Sequence, residues 1–153
     1  MSERVQVLGE VLSALHRSAA RLTNSHRRLA AHFPLSEERV EALDEDTLER
    51  LDAYAIRYSR CQELLYPAMR ALGRAQMEPR ADRSFLDLFA LMRSQGVVGP
   101  IEDWERQRSL RKAVAHEYPD ATLVADILNG ISSATPEILR YVEQIGLRAS
   151  ELG

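Results

Sequence analysis

The chain has 153 residues, 45% hydrophobic and 28% charged, which is enough apolar chain for one buried core and excludes a disordered or fibrous protein. Twenty Lys and Arg stand against 23 Asp and Glu, a formal net charge of -3, so a blanket electrostatic grip on nucleic acid is excluded and any such contact has to be local. The single cysteine, Cys61, rules out an intramolecular disulfide framework and a cysteine zinc site, and points to a reducing compartment. The opening MSERVQVLGEV lacks the apolar core of a signal peptide, and no window reaches the ~18 consecutive apolar residues of a membrane span. The expectation is a cytoplasmic protein of one domain, residues 1–153.

The first element is read from Val5, Leu8, Leu12, Leu15, Ala19, Leu22, His26, Leu29 and Phe33, which recur in steps of three and four. Only a helix turns such spacing into one stripe, and this helix should end near His32-Phe33-Pro34. A second seam runs from Leu48 through Leu51, Ala55, Tyr58, Gln62, Leu65 and Met69 to Leu72, after the cap-rich Asp44-Glu45-Asp46-Thr47. Gly73 is expected to close it in the left-handed conformation, and Pro67 to kink it one turn upstream. A polar stretch from Arg74 to Arg83 leads into a shorter helix, Ser84 to Gln95, stopped at Gly96. The Gly99-Pro100 turn opens a fourth helix reaching about His116 and ended by Pro119. From Asp120 the stripe Val124, Ile127, Ile131, Ala134, Ile138, Val142 and Ile145 carries on to the end, with a break or kink expected at Thr135-Pro136. No strand-like alternation of useful length appears. The predicted architecture is all-α, an antiparallel up-and-down bundle of four to five helices. Seams of this kind also serve a partner in trans, which keeps a homodimer open.

Most candidate chemistry dissolves on inspection. There is no HExxH, no phosphate-binding glycine loop with a following lysine, and no G-x-S-x-G elbow. His26 holds a seam position and reads as a core or interface histidine. His16 and His32 stand ten and six residues from it, spacings that do not stack ligands on one helical face, so no metal site is expected. Residues 1–32 carry five arginines against Glu3 and Glu10. Arg17, Arg21 and Arg28 fall on one stripe, either a solvated face or a phosphate-contacting strip. Nineteen of the 20 basic residues are arginine, which makes the lone lysine, Lys112, conspicuous.

The segment from Trp104 to Pro119 rises above this background. It holds Arg111, four residues, His116, one residue and Tyr118. The arrangement resembles the RxxxxHxY signature of HEPN-domain proteins, specifically the HepT toxins that pair with a small MNT-type nucleotidyltransferase. The run from Leu51 to Arg60 looks like the central helix of that family, the spacing of Trp104, Arg108 and Arg111 recurs, and the helix order is the same. Roughly residues 10 to 148 fit. The resemblance implies a HEPN-like bundle and a metal-independent endoribonuclease toxin of a type VII-like toxin-antitoxin pair, working as a homodimer with the motif lining a shared cleft. It also implies neutralisation by a cognate nucleotidyltransferase antitoxin that adenylylates the motif tyrosine, Tyr118. The alternative is a catalytically silent helical scaffold that binds the nucleotidyltransferase.

Chemistry supports the pairing of residue types. Cleavage of RNA by its own 2'-hydroxyl needs a proton acceptor, a proton donor for the leaving 5'-oxygen and a cation for the phosphorane. Histidine moves protons near neutral pH, and arginine offers planar, permanently charged donors. His116 is thus the acid or base and Arg111 the phosphate clamp. On an ideal helix, Arg111 and His116 lie about 140° apart and Arg111 and Tyr118 about 20°. For Arg111 and His116 to meet one phosphate, either the helix unwinds before Pro119 or a second subunit completes the site. Supporting candidates are Arg108, as a second phosphate contact or an ion pair with Glu105, and Asp52 and Glu63, eleven residues apart on one acidic stripe. In the family the position after the motif arginine is commonly asparagine or another small polar residue. Lys112 there either adds a phosphate contact or marks a weakened nuclease.

Overall fold

A computed structural model describes residues 2–116 and 121–152. Six helices follow in order: α1 (Glu3–Leu29), α2 (Glu37–Glu41), α3 (Glu45–Ala75), α4 (Phe85–Ser94), α5 (Ile101–Val114) and α6 (Ala121–Ser150). Among the described residues there is no strand, and no helix is long and apolar enough to cross a membrane. The starts are set by short polar side chains that accept from the free amides of the first turn. Ser2 Oγ accepts from Val5 N at 3.2 Å, Asp44 Oδ1 from Thr47 N at 2.8 Å and Ser84 Oγ from Asp87 N at 3.1 Å.

α3 is the axis of the molecule. It buries Leu51, Tyr54, Tyr58, Cys61, Leu65, Met69 and Leu72, and meets α1, α4, α5 and α6. Pairs such as His26 with Tyr54, Ser25 with Arg57 and Arg4 with Met77 make α1 antiparallel to the incoming α3. Arg106 with Glu137 and Leu110 beside Gly130 do the same for α5 and α6. The connection between α1 and α2 is tied to α6 by Asn129, whose Oδ1 accepts from Leu35 N at 2.7 Å and whose Nδ2 donates to Leu35 O at 2.9 Å.

Three expectations need correction. Gly73 does not end α3: it lies inside the helix, buried, where a Cβ would stand 2.7 Å from Ala81 Cβ. Its role is close approach, letting the Pro79–Asp82 turn rest on α3, and the left-handed residue beyond the helix is Met77, with φ 59°. The Thr135-Pro136 step does not divide the last helix, because α6 runs through it. The short α2, which the apolar spacing does not predict, brings the described α-helices to six against the four to five expected. Gly96, by contrast, closes α4 with φ 74° as its position suggested.

The seam histidine takes part in an ordered chain of hydroxyls. Thr135 Oγ1 donates to Ile131 O at 2.7 Å, so Tyr54 donates to Thr135 Oγ1 at 2.9 Å and accepts from His26 Nδ1 at 2.8 Å. Burial pushes the Tyr54 hydroxyl up to about 12, so it stays protonated. Burial lowers the pKa of His26 below its ordinary 6.5. The unfolded chain then binds a proton more readily than the folded one, and stability is complete above about pH 6.5 and falls as pH drops through the folded value. A melting-temperature profile between about pH 8 and 5 should decline on the acid side, and the decline should be shallower in His26→Asn.

Candidate functional site

α5 carries Arg108 and Arg111. Its start is acidic, Glu102 and Asp103, and its last turn basic, Arg111 and Lys112, an arrangement that complements the helix dipole at both ends. Trp104 is buried against Phe85 and Phe89, with ring centroids at 5.6 and 6.0 Å in tilted, edge-on geometry. One turn on, Gln107 is fully buried: its Nε2 donates to Tyr141 Oη at 3.1 Å, and its backbone carbonyl accepts from Tyr58 Oη at 3.0 Å. Burial raises the Tyr58 pKa well above the ordinary tyrosine value, which keeps that hydroxyl a donor. In an α-helix the same carbonyl also receives the amide four residues later, which is that of Arg111. The turn carrying Arg111 is thereby fixed to α3.

Arg111 is half-buried in a cleft of about 390 Å³ between α3, α4 and α5. Arg108 borders the same cleft and makes no ion pair with Glu105 among the described residues. Opposite them are Gln62 and Glu63 of α3. Gln62 is 2% exposed, and its Nε2 is buried without a hydrogen-bond partner among the described residues. A buried amide donor without an acceptor is costly. Gln62 stands on the apolar seam of α3. The available signal was a lone polar residue among apolar seam positions.

The other candidates separate. α5 ends at Val114, its last turn closed by Ala115 N to Lys112 O at 3.2 Å and His116 N to Ala113 O at 3.1 Å. His116 therefore stands beyond the helix, exposed, and is not among the residues bordering the Arg111 cleft. The helix unwinds before Pro119, so the angular separation of Arg111 and His116 on a straight helix does not by itself require a second subunit. Tyr118 lies outside the described residues. Lys112 is exposed on the face beside Arg111. Of the acidic stripe, Glu63 reaches the cleft, whereas Asp52 is exposed nearer the start of α3 and does not border it. The N-terminal arginine stripe also divides. Arg17 and Arg21 border a second cleft, of about 500 Å³, with Arg57, Arg60 and Glu63, while Arg28 is exposed and does not border it.

Among the described residues no three His, Cys, Asp or Glu side chains come together as metal ligands would. Cys61 is buried, its thiol pushed up to about 11 by that burial, which makes it an inert packing residue. Set against known proteins, the chain matches no family model, no curated protein and no solved structure.

Proposed function

We infer that the chain is a HepT-like, HEPN-type endoribonuclease toxin that cleaves RNA without a metal and is held in check by an MNT-type nucleotidyltransferase antitoxin. The observation that carries this reading is the cleft at the end of α5. There the motif arginine, Arg111, stands with Arg108, two permanently charged donor groups beside a space an anion can enter. In the reaction, the 2'-oxygen attacks the adjacent phosphorus and gives its proton to a base. The bond from phosphorus to the 5'-oxygen breaks, and that oxygen takes a proton from an acid, leaving a 2',3'-cyclic phosphate and a 5'-hydroxyl. His116 serves proton transfer, and Arg111, with Arg108, stabilises the charge of the phosphorane. His116 lies outside the Arg111 cleft, so a homodimer, in which each copy offers its His116 to the other's Arg111, is the arrangement that completes the site.

The same position of His116 is the specific observation in favour of the second reading, a silent scaffold that docks the nucleotidyltransferase. Lys112 is compatible with both. Purified chain incubated with RNA and chelator separates them: cleavage to cyclic-phosphate ends is expected, and intact RNA would leave the scaffold.

Regulation by the partner is tested on Tyr118. An adenylate adds a phosphodiester charge and bulk beside a site that must admit an RNA backbone, so modification should stop cleavage. Incubation with the nucleotidyltransferase, ATP and Mg²⁺ should raise the mass of the wild type by one or more adenylates and leave Tyr118→Phe unchanged. An unmodified wild type beside a demonstrably active partner would remove Tyr118 from the functional residues.

A further inference from the structure

The second cleft lies between α1 and α3 and is bordered by four guanidinium groups, Arg17 and Arg21 from α1 and Arg57 and Arg60 from α3. Glu63 is its one carboxylate. Of the fifteen arginines outside this cleft, four meet carboxylates among the described residues: Arg74 meets Asp82, Arg80 meets Glu78, Arg106 meets Asp103 and Glu137, and Arg148 meets Glu151. Among the described residues none of the four cleft arginines has a carboxylate partner, in a chain with 23 Asp and Glu to draw on.

Two of the four are held by neutral groups instead. Arg17 Nη1 donates to Ser13 Oγ at 2.9 Å, and Arg57 Nη1 donates to Ser25 Oγ at 2.8 Å and to Arg21 O at 3.3 Å. Hydroxyl and carbonyl oxygens fix a guanidinium's direction without cancelling its charge. Like charges one helical turn apart repel, so a cluster kept this way is suited to an anion that bridges it.

Glu63 also borders the Arg111 cleft, so the two clefts adjoin along α3. From Arg60 to Glu63 is one turn, a rise of about 4.5 Å. A chain of phosphates lying over Arg111 and Arg108 would pass the Glu63 carboxylate to reach Arg60 and then Arg57. The lining holds no aromatic ring on which a base could stack, which leaves the sugar-phosphate backbone as the part recognised.

We propose that the α1–α3 arginine cleft is a second phosphate-binding site that holds the single-stranded RNA running into or out of the Arg111 cleft. The proposal rests on the ribonuclease reading and adds to it the local cationic surface that a chain of net charge -3 requires. Arg17, Arg21 and Arg60 are exposed and face the strand, and Arg57, half-buried, is the anchored member.

The test uses full-length His116→Ala, so that the probe survives, and a fluorescent single-stranded RNA of about twelve nucleotides, within the span such grooves cover. Adding Arg17→Gln, Arg21→Gln and Arg60→Gln together should weaken binding at least ~10-fold and flatten the dependence of log affinity on log salt by about 2, three phosphate contacts at ~0.7 each. Lysine at the same three positions should restore most of that slope. Circular dichroism and sedimentation of each variant accompany the titration. Wild type is assayed for cleavage of the same oligonucleotide. Cleavage by wild type with an unchanged salt slope in the triple variant overturns this site and leaves the ribonuclease reading standing. Arginine-dependent binding without cleavage keeps the site and removes the nuclease. An RNA affinity untouched while self-association or nucleotidyltransferase binding is lost assigns the cleft to a protein partner and overturns the proposal, as does a wild type that binds no RNA.

Discussion

Replacing His116 by alanine should lower RNA cleavage by about 10²- to 10⁴-fold, the range a positioned acid or base supplies. Arg111→Ala should lower it by about 10²- to 10³-fold, as losing one preorganised donor to a developing anion does. Neither change should unfold the chain. His116 is exposed beyond α5, and Arg111 is half-buried at a cleft wall with no partner that its loss would orphan among the described residues. Arg111→Lys should recover little, because a point charge does not reproduce a planar fork on two phosphate oxygens. In cells, wild type expressed alone should arrest growth, and both alanine variants should be tolerated. Mixing the two inactive proteins tests the shared site: in a dimer, one subunit's intact Arg111 meets the other's intact His116, and part of the activity returns. Cleavage that persists in His116→Ala with chelator present would end the assignment.

Tyr58→Ala should destabilise the protein by about 3 to 5 kcal/mol, the usual cost of emptying a large aromatic site. At this chain length that corresponds to a fall in melting temperature of about 6 to 20 °C. The side chain is fully buried at the centre of α3, and its hydroxyl reaches the carbonyl of Gln107 in α5. The cavity would open between two of the three helices that form the Arg111 cleft, so cleavage should fail together with stability. Tyr58→Phe separates packing from hydrogen bonding. It keeps the ring and leaves the Gln107 carbonyl its helical partner, so the loss should be about 1 kcal/mol. Thermal unfolding of the three proteins checks both figures, and equal melting temperatures for Tyr58→Ala and wild type would contradict the central role of this contact.

The helices were legible because apolar residues at steps of three and four have one structural meaning over twenty or more residues. Single residues were less so. A glycine after the seam Leu65, Met69, Leu72 has two physical uses, a left-handed turn or close approach by another backbone, and only the presence of Ala81 opposite decides for the second. Pro136 reads as an interruption, yet the helix carries it, with the hydroxyl of Thr135 bonded back to Ile131 O. Of the candidate site, Arg111 and Arg108 could be found through the RxxxxHxY resemblance because they share one helix. The convergence of Arg17 and Arg21 with Arg57 and Arg60 could not, since it depends on which faces of α1 and α3 meet. Gln62 was hidden for a different reason: being unpartnered is a property of surroundings, not of sequence position.

The four arginines of the α1–α3 cleft, set against one carboxylate, give a chain of net charge -3 a cationic face. At physiological ionic strength the Debye length is about 8 Å, less than the ~10 Å diameter of one helix. A polyanion drawing near therefore feels the side it meets rather than the sum of charges. Approaches over acidic surfaces are turned away, and approaches over the α1–α3 face are drawn in, so orientation is selected before contact is made. A chain with a modest negative total thus discriminates among trajectories in a way that a uniformly basic protein, attractive from every direction, does not.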